Sequence, residues 1–380
     1  MALRGVWHKA WLLRWSAADL EQCRAFASTA CRGAEGHQAV QRCKAVVLPR
    51  FGGPEVLQLR DGVNVPPVKA GQVLVKVHAA AINPLDVRIR EGYGRSIFEP
   101  LLPLVLGRDL SGEVAALGSG IGSFKVGDSV FGALHPTAVF GTYSQYTVAD
   151  CSELQPKPQN LSHREAATIP FAALTAWRAV RSIGKLKKGQ RLMVLGAGGA
   201  VGLSAIQLAR AAGADVSCTC GNRSMDIVKK VGASHAIHYA KSAKEVKQAA
   251  EGHYDVVLDA LGKPETEQLG IELLRKGGHY VTLHGETARL TDELGIVAGG
   301  AASVAQLARK RLQFQYSHGV DYSWAVMRPD EDALHEIARL ASDGTLHIDV
   351  GKHLPLSHVV EAQALQYSKD VRGKVVLDVE

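Results

Sequence analysis

Residues 191–213 read RLMVLGAGGAVGLSAIQLARAAG, and this stretch decides the fold. A short apolar run, Leu192–Leu195, breaks into a glycine turn, and the turn opens directly into a helical pattern. Ala197, Gly199 and Gly202 take the three positions of the dinucleotide fingerprint, with Gly198, Ala200 and Val201 between them. The second position must let backbone approach a pyrophosphate. The third must let helix and strand pack closely. A helix N-terminus then offers unpaired N–H groups and a partial positive charge to the phosphates. Strand, turn and helix in that order predict a nucleotide-binding Rossmann unit.

The next strand, Asp215–Cys220, runs into Gly221-Asn222-Arg223-Ser224. Selectivity for NAD calls for an acidic residue about 20 residues past the turn, on the ribose 2′-hydroxyl. The four residues contain no carboxylate and one guanidinium. A carboxylate would repel a 2′-phosphate, whereas Arg223 and the Ser224 hydroxyl are suited to hold one. Lys229 and Lys230 add positive charge nearby. The expected cofactor is NADPH rather than NADH.

Working outward, residues 43–172 read as a β-rich, barrel-like domain. Its strands lie at Ala45–Leu48, Gln72–Ala80 and near Ser111–Ala116, separated by Gly and Pro turn signals. From Glu165 helices take over, and from Arg191 strand and helix alternate, within a nucleotide-binding domain placed over 173–320. The later strands are placed at Ala236–Tyr239, Asp255–Asp259, His279–Leu283 and Gln313–Ser317. Such alternation predicts a parallel, doubly wound sheet. Residues 321–380, with a helix around Ala333–Ala341 and a strand Lys374–Val379, are read as a return to the first domain.

The 380 residues, 46% hydrophobic and 21% charged, suffice for two domains. No apolar run reaches the roughly 18–20 residues of a membrane span. The net charge of +7 is partly concentrated in residues 1–42, which carry +3; the remainder lacks the basic tracts of a nucleic-acid binder. Leu3, Trp7, Trp11 and Trp15 form a helical stripe with Arg4 and Lys9 off it, and Arg24 precedes Ala25-Phe26-Ala27-Ser28-Thr29. Residues 1–42 therefore read as a mitochondrial transit peptide for the matrix, with plastid import as the alternative. Of six cysteines, Cys43, Cys151, Cys218 and Cys220 lie beyond it without zinc spacing, and Cys218 and Cys220 share one strand face. The histidines, His78, His135, His284 and His318 among them, also lack ligand spacing.

From about residue 43 onward the chain resembles the zinc-free quinone oxidoreductase (zeta-crystallin) branch of the medium-chain dehydrogenase/reductases, and within it the mitochondrial reticulon-interacting subgroup. The resemblance rests on VKVHAAAINPLDVRIREGYG, LVLGRDLSGEV, FKVGDSV, GTYSQYTV, AALTAW, VLGAGGAVG, VGASHAIHY and RGKVVLDV. It implies an α/β fold: a GroES-like β-rich catalytic domain split in sequence, a doubly wound parallel Rossmann domain inserted in it, and an active site in the cleft between them. Zinc-dependent relatives carry a cysteine at the start of the N-x-x-D segment and Gly-His-Glu downstream. Here those places hold Asn83-Pro84-Leu85-Asp86 and Gly107-Arg108-Asp109, so no metal is expected.

The resemblance further implies that Asn83, Asp86 and Tyr93 line the cleft, with Thr175 across it. It adds Tyr239, Leu283 and Arg372-Gly373-Lys374 to the cofactor contacts. Each has a structural alternative: Asp86 as a helix cap, Tyr93 as a ring on the cleft wall, Arg108 as the partner of Asp86 or Asp109, and Arg-Gly-Lys as a basic turn. The implied activity is hydride transfer from NADPH to a quinone or related conjugated carbonyl, linked in this subgroup to ubiquinone synthesis or respiratory function. A 2-enoyl-thioester reductase and a low-turnover NADPH-binding assembly protein stay open as alternatives, as does a homodimer or protein partner.

Overall fold

The structure, a computed structural model, describes residues 41–241, 243–250, 253–368 and 371–379. The expected transit peptide, apart from its last two residues, lies outside the described residues. The first strand, β1 (Arg42–Leu48), begins one residue inside that span.

Seven more strands precede the parallel sheet: β2 (Gln58–Asn64), β3 (Gln72–Ala81), β4 (Leu104–Val105), β5 (Asp109–Leu117), β6 (Ser129–Ala133), β7 (Tyr146–Asp150) and β8 (Leu154–Pro156). Five lie in the sheet segment β9 (Arg191–Leu195), β10 (Asp215–Cys220), β11 (His235–His238), β12 (Tyr254–Asp259) and β13 (Leu274–Thr282). Three close the chain: β14 (Asp321–Trp324), β15 (Val350–Pro355) and β16 (Lys374–Asp378). They make three sheets. β2-β1-β4 is small; β15-β16-β3-β5-β6-β8, with β7 also on β3, is the barrel-like sheet; β11-β10-β9-β12-β13-β14 is wholly parallel. The last order is that of the doubly wound dinucleotide folds. β15 and β16 return to the first domain's sheet, so that domain is split in sequence.

The parallel sheet is covered on both faces, as its apolar strands require. Along β9, Leu192 and Val194 enter a core with Leu203 and Ile206 of the helix Ala200–Ala211. Met193 and Leu195 enter another with Ile271, Tyr280 and Phe314. The helix Pro170–Trp177 contributes Phe171 and Leu174 to the first of these cores, which also contains Phe131 and Ala133 of β6. Barrel and sheet are therefore joined by shared packing as well as by chain. Cys218 and Cys220 are buried in the same core, and burial pushes the Cys218 thiol up to about 12.

One expected element differs. Gln313–Ser317 is the last turn of a helix, Ile296–His318, and the sixth strand of the sheet is β14, four residues later. The Gln-Phe-Gln-Tyr-Ser alternation mimics a strand over five residues, but the helix runs through it. It stops at Gly319, whose φ of +68° supplies the left-handed cap. Phe314 stays buried, stacked on Tyr322 of β14 at 5.5 Å, while Tyr316 faces outward.

Candidate active site

In a parallel sheet, ligands sit beyond the carboxyl ends of the strands. Leu195, Thr219, Asp259 and Thr282 stand in register at that edge, so the loops after β9, β10, β12 and β13 emerge together. The turn after β9 begins with Gly196 at φ +86°, where L residues are strained. A Cβ on Gly202 would meet Ala197 Cα at 2.5 Å, so only glycine lets the helix close on the turn. A Cβ on Gly199 would point into open space. Gly199 is also the N-cap of the helix Ala200–Ala211, with no side chain capping the first-turn N–H groups. Glycine, open volume and unpaired donors together fit a pyrophosphate.

The loop after β10 folds back on this turn. A Cβ on Gly198 would lie 2.6 Å from Ser224 Oγ, and one on Gly221 would lie 3.1 Å from the Tyr239 ring. Asn222 and Arg223 are exposed on the short helical turn Asn222–Ser224, and Tyr239 is 63% exposed, stacked on His238 at 5.0 Å. Ala197 to Gly202, Gly221 to Ser224 and Tyr239 thus form one continuous rim. Leu283 follows β13 on the same edge, its N–H donating to the Asp259 carbonyl at 3.1 Å. Asp259 itself is fully buried: its carboxylate accepts from the N–H groups of Leu261 and Gly262, from Thr266 Oγ1 and from the Tyr280 hydroxyl. The rim loop is therefore braced from beneath, although Asp259 is followed by apolar Ala260.

Arg372, Gly373 and Lys374 lie elsewhere, at the start of β16. Arg372 is exposed, and Gly373 turns the chain at φ +90°. Lys374 is buried, with its ammonium on the Asp109 carboxylate and 2.9 Å from Asn83 Oδ1. Asn83 Nδ2 donates to Asp109 Oδ2 at 2.8 Å, and the other Asp109 oxygen accepts the Phe171 N–H at 2.7 Å. Four segments far apart in sequence meet in this cluster. Thr175 is tied to it through the same helix, its hydroxyl donating to the Phe171 carbonyl at 2.7 Å. Sequence reasoning missed the cluster because nothing local links residues 83, 109 and 374. Asn83 and Lys374 were each expected at the site by resemblance, but in different roles, and Asp109 only as a partner of Arg108.

Asp86 is fully buried and caps the helix Pro84–Arg90. Its Oδ2 accepts the Asn83 N–H at 2.8 Å and the Tyr143 hydroxyl at 3.1 Å. Burial raises its pKa above the ordinary carboxylate value, opposed chiefly by the Arg108 charge. Arg108, also fully buried, donates to the carbonyls of Gly107 at 2.8 Å and Pro136 at 3.1 Å, and burial lowers its pKa. Burial also pushes Glu153, which caps Asp150 and binds the His135 N–H, up to about 7. Asn83, Arg108, Asp109 and Lys374 do not fit a zinc ion: two are cations, and the carboxylate already holds an ammonium. Among the described residues no group of three His, Cys, Asp or Glu side chains is placed to hold a metal.

Tyr93 sits in the loop after Pro84–Arg90 with the Arg88 guanidinium over its ring at 3.8 Å. That loop is held to the nucleotide-binding half of the molecule. Asp292, in the helix Thr287–Leu294, accepts the N–H groups of Gly94 and Ser96, each at 2.9 Å, and Ser96 Oγ donates to the Thr291 carbonyl at 2.6 Å. The structure thus brings Asn83, Asp86 and Thr175 into one buried network and sets Tyr93 apart from it, beside this clamp.

The family described as alcohol dehydrogenase GroES-like domain matches residues 69–159, and that described as zinc-binding dehydrogenase matches residues 231–377. The chain is 35% identical over 354 residues to the mitochondrial NAD(P)H oxidoreductase RTN4IP1 of Bos taurus, spanning 88% of this chain and 89% of that protein. It is 36% identical over 242 residues to the 2-methylene-furan-3-one reductase of Solanum lycopersicum, spanning 62% and 60%. Among solved structures, the quinone oxidoreductase of Coxiella burnetii is similar, with a TM-score of 0.75 at 29% identity, over 89% of this chain and 100% of that one.

Proposed function

We propose, from the premise that this chain belongs to the medium-chain dehydrogenase/reductase superfamily of nicotinamide-dependent oxidoreductases, that it is a zinc-independent, NADPH-dependent reductase of quinones or related conjugated carbonyls. The observation that carries the reading is the seating of Ser224 against Gly198, which sets a loop with Arg223 and no carboxylate beside the glycine turn. The N–H groups at the start of Ala200–Ala211 would bind the pyrophosphate. Arg223 and Ser224 would bind the 2′-phosphate, with Tyr239 and Leu283 flanking them. Bound there, the cofactor supplies a hydride.

The acceptor follows from the cluster at Lys374. Its ammonium neutralises Asp109 and leaves no ligand set for a Lewis-acid metal, so a substrate already electrophilic by conjugation suits the site. Asn83, with one amide proton on Asp109, keeps a second to donate to a substrate oxygen. The Tyr93 hydroxyl is a further donor, and Asp86 positions Asn83 by capping its helix. Arg372 and Gly373 belong to the turn that delivers Lys374. The names of the Coxiella and tomato relatives support an acceptor of this class, and that of the bovine relative supports a mitochondrial location. We extend this to the matrix and to a role tied to ubiquinone or respiration. Steady-state oxidation of NADPH and NADH against a quinone panel and a crotonyl-thioester is the test. NADPH with quinones should be fastest; turnover confined to the thioester, or no preference for NADPH, would overturn the reading.

A further inference from the structure

The helix Ile296–His318 is 23 residues long, and only one face of it is packed. On that face a Cβ on Gly299 would strike the Leu290 carbonyl, Ser303 Oγ meets Thr287 Oγ1 at 2.6 Å, Lys310 reaches Glu267 at 2.6 Å and Phe314 stacks on Tyr322. The opposite face carries Val297, Ala301, Val304, Ala308, Leu312 and Tyr316, spaced by three or four residues into one stripe, and all are exposed. Val297 is 79%, Leu312 72% and Tyr316 97% exposed. A solvent-facing helix ordinarily shows mainly polar residues there; here six apolar side chains share the face with Gln315, and an exposed apolar strip of this kind marks an interaction surface. Leu294 and Ile296 extend it toward the helix Thr287–Leu294.

Charge says what the surface meets. No Asp or Glu occurs between Leu294 and Val320, while Arg309 and Arg311 are exposed on the two sides of the stripe. We propose that this face lies on the surface of an anionic lipid bilayer, apolar stripe inward and arginines on the headgroups. No helix among the described residues is long and apolar enough to cross a membrane, so the contact is in the plane of the interface. A second copy suits the face less well, because pairing two such helices brings arginines together with no helix carboxylate to receive them. The stripe begins next to Asp292, which holds Gly94 and Ser96 beside Tyr93. Docking would therefore bring the cleft to the membrane, where an apolar acceptor dissolves. The proposal goes beyond the catalytic reading, and its test needs no turnover.

The test is co-sedimentation of the full chain with vesicles of phosphatidylcholine mixed with phosphatidylglycerol, against phosphatidylcholine alone. The wild type should sediment with the mixed vesicles only. Val304→Asp with Leu312→Asp should lower its partition at least about tenfold without moving the thermal midpoint, and Arg309→Glu with Arg311→Glu should do likewise. Wild-type protein left in the supernatant would overturn the proposal. So would unchanged sedimentation of both double variants, since binding would then belong to another part of the chain. A wild-type dimer that the Val304→Asp, Leu312→Asp variant dissociates, with no vesicle binding, would assign the face to a second copy instead.

Discussion

The rim of the parallel sheet and the cluster around Lys374 are built by opposite rules. The rim is open: Gly199 faces empty space, and Arg223 and Tyr239 project from loops only a few residues long. The cluster is closed: Asn83, Asp109 and Lys374 are each at most 3% exposed and satisfy one another. An open site leaves room for a ligand beside its donors, as at the helix N-terminus that no side chain caps. A closed one spends its polar groups on holding the protein together, and offers the ligand only what is left over. Changes at the rim should therefore alter binding while leaving stability alone, and removing a buried charge from the cluster should cost stability first.

The sharpest way to break that contrast is Lys374→Met. It leaves the Asp109 carboxylate buried without its cation, which costs about 3–5 kcal/mol. The denaturant midpoint should fall accordingly, and adding Asp109→Leu should recover part of the loss because no charge then stays uncompensated. If Lys374→Met unfolds no more easily than the wild type, the cluster is not closed as described.

At the rim, Arg223→Ala should weaken NADPH binding by about 1.5–3 kcal/mol, the scale of a hydrogen bond to a charged group, and leave NADH nearly unchanged. Gly199→Val should remove both cofactors, since its branched Cβ would fill the open space above the helix N-terminus. Titration calorimetry separates the two outcomes. Equal losses for both cofactors in Arg223→Ala would dissociate Arg223 from the 2′-phosphate.

The same contrast explains what could be read from sequence. The rim was legible because its determinants are local: glycine spacing, the strand before it and the loop one strand later. The parallel, doubly wound character of the sheet followed from strand–helix alternation. The Lys374 cluster was not legible, since its partners are 265 and 291 residues away. Lys374 reads locally as part of a basic turn. The helix Ile296–His318 was missed at its end because five alternating residues outweighed Gly319, the one signal that the helix stops there rather than earlier. Asp292 carries no motif at all; only the folded structure shows it holding Gly94 and Ser96.

A smaller effect sits at the far side of the barrel sheet, where His163 packs against His78 with ring centroids 4.7 Å apart and shares a 2.8 Å hydrogen bond with Ser111 Oγ. Burial first, and then the His78 charge, push the His163 pKa from 6.5 down to about 4. The unfolded chain thus takes up a proton at a pH where the folded one does not. Stability is complete above pH 6.5 and declines as pH falls toward 4. His163 is only half-buried, so solvent screening keeps the slope shallow. His163→Gln should flatten the dependence of the thermal midpoint over that range. A wild-type midpoint that rises on acidification through the same window would give the shift the wrong sign.

The smallest expected effect is none, and it bears on the closed cluster directly. Zinc-dependent relatives place metal ligands where this chain has Asn83, Arg108 and Asp109. Here the positive charge beside the Asp109 carboxylate is the Lys374 ammonium, and Arg108 donates to two backbone carbonyls. A divalent ion entering the cluster would have to displace an ammonium from its carboxylate, and would gain neither thiolate nor imidazole in return. Exhaustive dialysis against a chelator should therefore leave both the thermal midpoint and NADPH oxidation where they were, and elemental analysis should find zinc far below one equivalent. Stoichiometric zinc that leaves together with activity would mean that Lys374 gives way to a metal, and that the closed cluster is an open site after all.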